Sequence, residues 1–211
     1  MALNTQSPTR GTAGEVHEVA RDIVVPALPP MYEEELPKTP PEALLSVVQE
    51  LSGWQNAQKA LLLDPETDKL VVTLSPTPDY AQMESALQRV MDEIKKYPDD
   101  PTMQKVPVHL CDSGWVDEVC KRNPTMRGQL IALYSTPLET GGTLFEKSLE
   151  EYAKSGNRDS IRMTKLYENC PTDPGCVKKM AALFEELPQS AKSGVRLSRV
   201  KGAFEARVQN Q

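Results

Sequence analysis

Aromatic residues are scarce in this chain, and histidine is scarcer still. Phe, Trp and Tyr together make up 5% of the 211 residues, and two histidines occur, His17 and His109. The core must therefore rest on Leu, Val, Ile, Met and Ala. The sequence also lacks the nucleophile-elbow, Walker, dinucleotide-binding, zinc-protease and EF-hand patterns. We therefore expect no enzymatic activity, no catalytic residues and no cofactor.

Long apolar runs are missing as well. No stretch approaches the roughly 18 apolar residues that a membrane span needs, and the first residues lack the apolar centre of a signal peptide. The net charge of −6 favours solubility and argues against wholesale binding to nucleic acid. We expect an intracellular protein, with the cytoplasm favoured and import into an organelle by an uncleaved signal left open.

Proline, by contrast, is abundant and unevenly placed. Six of the 18 prolines lie between Pro26 and Pro41, where they disfavour hydrogen-bonded secondary structure and favour an extended segment. This divides the chain into an extended, proline-rich arm (1–38), a mainly helical body (39–187) and a basic tail (188–211).

The body combines helical spacing of apolar residues with one short β-rich stretch. Capping boxes at Thr39 and Thr143 predict helix starts, and the stripe over 80–94 predicts a long helix. The β-branched run 70–74 predicts a strand, and 106–110 an edge strand, because Pro107 cannot donate to a ladder. The expected fold class is mainly α, with α+β possible: a multi-helix body with a small strand–helix–strand element near 70–110.

One motif in the arm has a recognised binding mechanism. Pro29-Pro30-Met31-Tyr32 fits the Pro-Pro-x-Tyr pattern and resembles the ligands of WW domains, including the late-domain peptides of some viral structural proteins. The alternative is that the arm lies along a neighbouring subunit or along its own body, using apolar side chains. The candidate partner-binding residues are Pro29, Pro30, Tyr32, Leu28 and Leu36.

The tail carries an excess of positive charge. Residues 189–211 contain five basic residues and one acid, Glu205, and apolar residues at intervals give the segment an amphipathic character. An acidic protein surface, RNA or an anionic membrane are possible partners, and a solvated tail is the alternative. The basic residues that we select are Arg196, Arg199, Lys201 and Arg207.

The four cysteines allow three interpretations. Zinc binding would use His109, Cys111 and Cys120, but the spacing is wider than in structural zinc sites. Two disulfides would need an oxidising compartment, although Cys170 and Cys176 could close a small loop. Buried free thiols are the default for an intracellular chain, so we expect no metal.

These patterns together predict a non-catalytic structural or accessory subunit of a larger macromolecular assembly. Its partners would be other protein subunits, bound through the arm and the tail. An adaptor or virus-like structural protein that presents its Pro-Pro-x-Tyr peptide to a WW-domain protein is one alternative. An enzyme or zinc protein with an unrecognised site is the other.

Overall fold

The structure, a computed structural model, describes residues 40–75, 77–155 and 159–211, together with the backbone of residues 23–24. Within these ranges the chain forms ten α-helices, one short 3-10 helix and an antiparallel sheet of three strands. The predicted mainly α fold class is confirmed. The arm, apart from the backbone of residues 23–24, lies outside the described residues.

The elements follow one another with short connections, which favours packing between neighbours in sequence. In chain order they are β1 (Ile23–Val24), α1 (Pro40–Leu51), β2 (Lys59–Asp64), β3 (Lys69–Leu74), α2 (Tyr80–Lys96), the 3-10 helix (Met103–Lys105), α3 (Val106–Cys111), α4 (Gly114–Arg122), α5 (Pro124–Tyr134), α6 (Leu144–Lys154), α7 (Ser160–Asn169), α8 (Pro174–Glu185), α9 (Gln189–Lys192) and α10 (Val195–Gln209).

The sheet is a hairpin extended by one very short strand. β2 and β3 pair in register from Lys59 with Leu74 to Asp64 with Lys69, and β1 pairs with the other edge of β3. The hairpin turn is stabilised by the Asp64 carboxylate, which accepts hydrogen bonds from the Glu66 backbone N–H at 2.9 Å and from the Thr67 hydroxyl at 2.6 Å. The predicted strand over 70–74 is therefore confirmed.

Helix α2 follows the hairpin and packs on β2. Asp79 caps its start by accepting hydrogen bonds from the backbone N–H groups of Ala81 and Gln82, as expected for an acid at this position. One face of the helix carries the predicted apolar stripe. Met83, Leu87, Val90, Met91 and Ile94 are buried, and the first member, Tyr80, is partly buried and packs against the core. This helix is confirmed.

The predicted edge strand over 106–110 is wrong, because Val106–Cys111 forms α3, directly after the 3-10 helix. Pro107 lies in the first turn of α3, where a helix has no intrahelical acceptor for its N–H groups and proline costs little. Val106, Val108 and Leu110 are all buried, so packing against surrounding helices outweighs the strand preference of valine.

The C-terminal helix α10 packs against α7. It buries Leu197 and Phe204, which are 1% and 3% exposed, and the Phe204 ring lies 5.3 Å from the ring of Tyr167 on α7. Residues in the predicted tail thus contribute to the same hydrophobic cluster as those of the body.

Candidate functional site

A cleft of about 260 Å³ lies between α1, α3, α6 and α7. Its lining mixes charged, polar and apolar side chains. The lining residues are Gln49, Ser52, Lys105, Val108, His109, Cys111, Asp112, Glu151, Tyr152, Ser155, Arg162, Lys165 and Leu166.

Asp112, at the C-terminal end of α3, is the central acid of this cleft. Its side chain is 9% exposed, and its Oδ2 lies 3.0 Å from Nε of Arg162 and accepts a hydrogen bond from Ser52 Oγ at 3.1 Å. Burial raises the pKa of Asp112, and the Arg162 charge opposes that rise. The ion pair therefore offsets the cost of burying the carboxylate and ties α7 to the junction of α1 and α3.

The loop after α1 approaches this pair closely. The Gly53 backbone N–H donates to the Asp112 carbonyl oxygen at 3.1 Å, and Gly53 has a φ of +85°, a conformation that favours glycine. An ideal Cβ at Gly53 would lie 3.8 Å from Nη2 of Arg162. The turn thus places the Gly53 backbone beside the guanidinium.

His109 lies in the same cleft and is neutral at pH 7. Burial first, and the Arg162 charge second, lower the pKa of His109 to about 4. Its Nδ1 is 3.2 Å from Ser52 Oγ, and its Nε2 is 3.4 Å from the side-chain amide nitrogen of Gln49. Since Gln49 offers a donor, we assign the proton to Nδ1, which donates to Ser52.

The order of these groups differs from that of a nucleophilic triad. Ser52 stands between His109 and Asp112 and donates to the carboxylate, whereas activation of a serine requires histidine between the serine and the acid. The hydroxyl is therefore engaged as a link in a hydrogen-bond chain, without a base positioned to take its proton.

A second charged cluster adjoins the cleft at Lys165 and joins α4, α5 and α7. Asp117 forms an ion pair with Lys165, which is 5% exposed, and its Oδ1 is 3.5 Å from Nη2 of Arg127. Arg127 also donates from Nη1 to Asn169 Oδ1 at 3.0 Å. Burial lowers the pKa of Lys165. Because each charge faces an opposite one, the cluster acts as a structural link between three helices.

The cysteines are buried free thiols. Burial raises the pKa of Cys111 to about 12 and also raises the pKa of Cys120 and Cys170. The Sγ atom of Cys176 lies 3.6 Å from Oγ1 of Thr143, within reach of a weak hydrogen bond. High pKa and burial both disfavour the reactive thiolate.

The zinc interpretation finds no arrangement to support it in the described part of the chain, where no group of three or more His, Cys, Asp or Glu side chains is placed to hold a metal ion. The candidate ligand His109 interacts instead with Ser52 and Gln49.

The basic tail residues mostly face this chain's own atoms. Arg196 lies 3.1 Å from Glu168, and Lys201 forms an ion pair with Glu205. Arg207 donates to the backbone carbonyls of Tyr167 and Cys170, at 3.0 and 3.4 Å, where α7 ends. Arg199 is exposed.

The arm residues selected from sequence lie outside the described residues: Leu28, Pro29, Pro30, Tyr32 and Leu36. The structure gives the elements on either side of them. β1 ends at Val24 on the edge of the sheet, and α1 begins at Pro40.

Sequence reasoning missed the cleft, because its charged residues come from positions far apart in the chain. Asp112 and Asp117 are both buried, whereas an acid in a helical segment is most often solvated. One local signal was available: Asp117 lies within the apolar spacing of α4, between Val116 and Val119, where a solvated acid is not expected.

No protein-family model, no curated protein and no solved structure matches this chain. Among the described residues, no helix is both long and apolar enough to cross a membrane.

Proposed function

We propose that this protein is a non-catalytic structural or accessory subunit of a larger macromolecular assembly, which binds neighbouring subunits through its N-terminal arm and its C-terminal tail. The observation that carries the proposal is the outer face of α10. This face runs along the helix opposite Leu197 and Phe204, the two side chains of α10 that are buried.

The outer face of α10 is apolar or small over most of its length. Val195, 85% exposed, is its first member, and Arg199, Gly202 and Ala206 follow at helical spacing, all exposed. A Cβ added at Gly202 would meet nothing within 4 Å. Small side chains let a second helix approach closely, so this face suits a helical partner.

A second exposed apolar side chain lies near the start of that face. The first turns of α7 and α10 are close together, because a Cβ atom built on Gly194 would lie 4.0 Å from Cβ of Ser160. Ile161, the next residue of α7, is 55% exposed and lines a small pocket together with Gly194 and Arg196, the two neighbours of Val195 in sequence. Neighbouring exposed apolar groups favour burial against a partner.

The chemistry of the cleft supports a non-catalytic role over the alternative of an unrecognised enzyme or zinc protein. Asp112 is paired with Arg162, and Asp117 with Lys165. His109 is neutral at pH 7 and is held by hydrogen bonds to Ser52 and Gln49. Although Asp112 Oδ1 is buried without a hydrogen-bond partner, both carboxylates face a cation, and these ion pairs serve to link the helices.

The test is a matched pair of glycine substitutions in tagged full-length protein isolated from its native cells. Gly202 in α10 and Gly128 in α5 are both exposed helical glycines with open space around a Cβ. Glutamate at either position should raise stability by about 0.5–1 kcal/mol, because glycine weakens helices.

Only Gly202→Glu should reduce the stoichiometric subunits that co-elute in size-exclusion chromatography, because it places a bulky charge on the outer face of α10. Equal losses for Gly128→Glu and Gly202→Glu, or no loss for Gly202→Glu, would remove the support that this face gives to the proposal.

The adaptor alternative is separated from the subunit proposal by two variants of the arm. Tyr32→Ala removes the tyrosine that a WW-type groove recognises, whereas Leu28→Ser with Leu36→Ser removes apolar contacts of a wrapping arm. Each buried leucine should contribute about 1.5–3 kcal/mol. If Tyr32→Ala alone eliminates every partner while the double variant retains them, the adaptor function replaces the subunit proposal.

A further inference from the structure

The Asp112 carboxylate orients Arg162 but engages only part of its guanidinium group. Its Nε lies 3.0 Å from Asp112 Oδ2, and neither Nη group has a hydrogen-bond acceptor within the described part of the chain. A guanidinium presents five N–H donors. The pair therefore fixes a planar fork whose terminal nitrogens are available, a geometry that binds carboxylates with two parallel hydrogen bonds.

The cleft carries one positive charge without a partner. Lys105 lines it, and no ion pair of Lys105 occurs among the described residues. The other acid of the lining, Glu151, already lies 2.6 Å from Lys154. Arg162 faces two acids, since its Nε lies 3.0 Å from Asp112 Oδ2 and 3.9 Å from Asp159 Oδ2. Lys105 is therefore the charge of the lining that is left to attract an anion into the cleft.

Part of the remaining wall is apolar. Val108 and Leu166 line the cleft and belong to the hydrophobic core around it. A volume of about 260 Å³ accommodates a molecule of amino-acid size. This lining therefore matches a ligand that has an anionic head and a short apolar body.

We propose that the cleft binds a small organic monocarboxylate, with its carboxylate on Arg162 and Lys105 and its apolar body against Val108 and Leu166. This ligand site goes beyond the subunit function and does not depend on it, because it lies between α1, α3, α6 and α7 and includes no residue of α10.

The first test compares hexanoate with hexanamide, which has the same apolar body and no charge. Both are titrated into the full-length protein at pH 7 and followed by saturation-transfer NMR. Hexanoate should bind saturably and at least about tenfold more tightly than hexanamide, because charge-assisted hydrogen bonds are about twice as strong as neutral ones. Equal binding of the two, or no saturable binding of hexanoate, overturns the proposal.

The second test assigns the site within the chain. Lys105→Gln should weaken hexanoate binding about fivefold or more, because it removes the unmatched charge. Lys178→Gln is the control, since Lys178 is an exposed lysine on α8 away from the cleft, and it should change affinity less than about twofold.

Gln49→Trp adds an independent check, because Gln49 is exposed and lines the cleft. The larger side chain should occupy ligand space and abolish binding. Full affinity in a folded Lys105→Gln or Gln49→Trp variant, judged by circular dichroism, would place hexanoate elsewhere and overturn the proposal.

Discussion

At the scale of the residue, His109 makes the stability of the protein depend on pH. Its pKa of about 4 lies below the ordinary value of 6.5, because burial and the Arg162 charge both disfavour the imidazolium. In the unfolded chain the same imidazole binds a proton below about pH 6.5. The unfolded state therefore binds more protons between these two values, and stability falls as the pH falls through this window.

The prediction is that the free energy of unfolding decreases by roughly 2 kcal/mol from this residue alone between pH 7 and pH 4.5. His109→Gln retains polar contacts but cannot titrate, so its stability should vary much less over the same interval. Urea denaturation of both proteins at the two pH values measures the difference. Asp112, whose pKa is raised, gives the opposite trend, so parallel curves for the two proteins would show that His109 is not the responsible group.

At the scale of the element, α3 shows where the local sequence pattern no longer determines the secondary structure. The strand over 70–74 and helix α2 follow from spacing that repeats over several residues, so sequence alone located them. Val106–Cys111 is only six residues long, and its apolar residues suit a helix or a strand equally. Contacts with α1, α6 and α7 decide the outcome, and sequence does not contain them.

One hydrogen bond from α6 supports the start of α3. Val108 lies in the first turn, where a backbone N–H has no intrahelical acceptor, and it donates to Ser148 Oγ at 3.1 Å. Ser148 is fully buried on α6. Ser148→Ala should therefore lower the free energy of unfolding by about 1–3 kcal/mol, because a buried N–H loses its acceptor.

Ser85→Ala is the matched control for this prediction. Ser85 is also inside a helix, but it is exposed and donates to the carbonyl of Ala81. Its loss should change stability by less than about 0.5 kcal/mol. Guanidinium denaturation of both variants provides the comparison, and similar values for the two would contradict a specific role for the Ser148 hydroxyl.

At the scale of the whole molecule, the cleft shows why the candidate site was harder to predict than the fold. The helix class follows from composition and apolar spacing along the chain. Arg162 and Asp112 are 50 residues apart in sequence. Ser52 and Arg162 both reach the Asp112 carboxylate only through the packing of α1, α3 and α7. Each residue alone has the pattern of an ordinary solvated side chain, so the site emerges only in three dimensions.

Also at the scale of the whole molecule, the question is whether the C-terminal residues are a separate tail or part of the folded body. The sequence predicts a boundary at 188, while α10 buries Leu197 and Phe204 against α7. Two buried apolar side chains contribute about 1.5–3 kcal/mol each. A chain ending at Leu187 should therefore lose about 4 kcal/mol or more of unfolding free energy, since it also exposes Tyr167, against which Phe204 packs.

Urea denaturation with circular dichroism measures this loss against two reference chains. Removal of residues 209–211 leaves Leu197, Phe204 and Arg207 in place and should cost less than about 0.5 kcal/mol. Phe204→Ala in the full chain should cost about 3–5 kcal/mol, since it removes the largest buried group of α10. If the chain ending at Leu187 unfolds at the same urea concentration as the full chain, α10 contributes nothing to the fold and the boundary at 188 is a domain boundary. If the chain ending at Leu187 loses as much unfolding free energy as Phe204→Ala or more, α10 is part of the body. The outer face of α10 is then fixed in position relative to the body, where a partner can bind it.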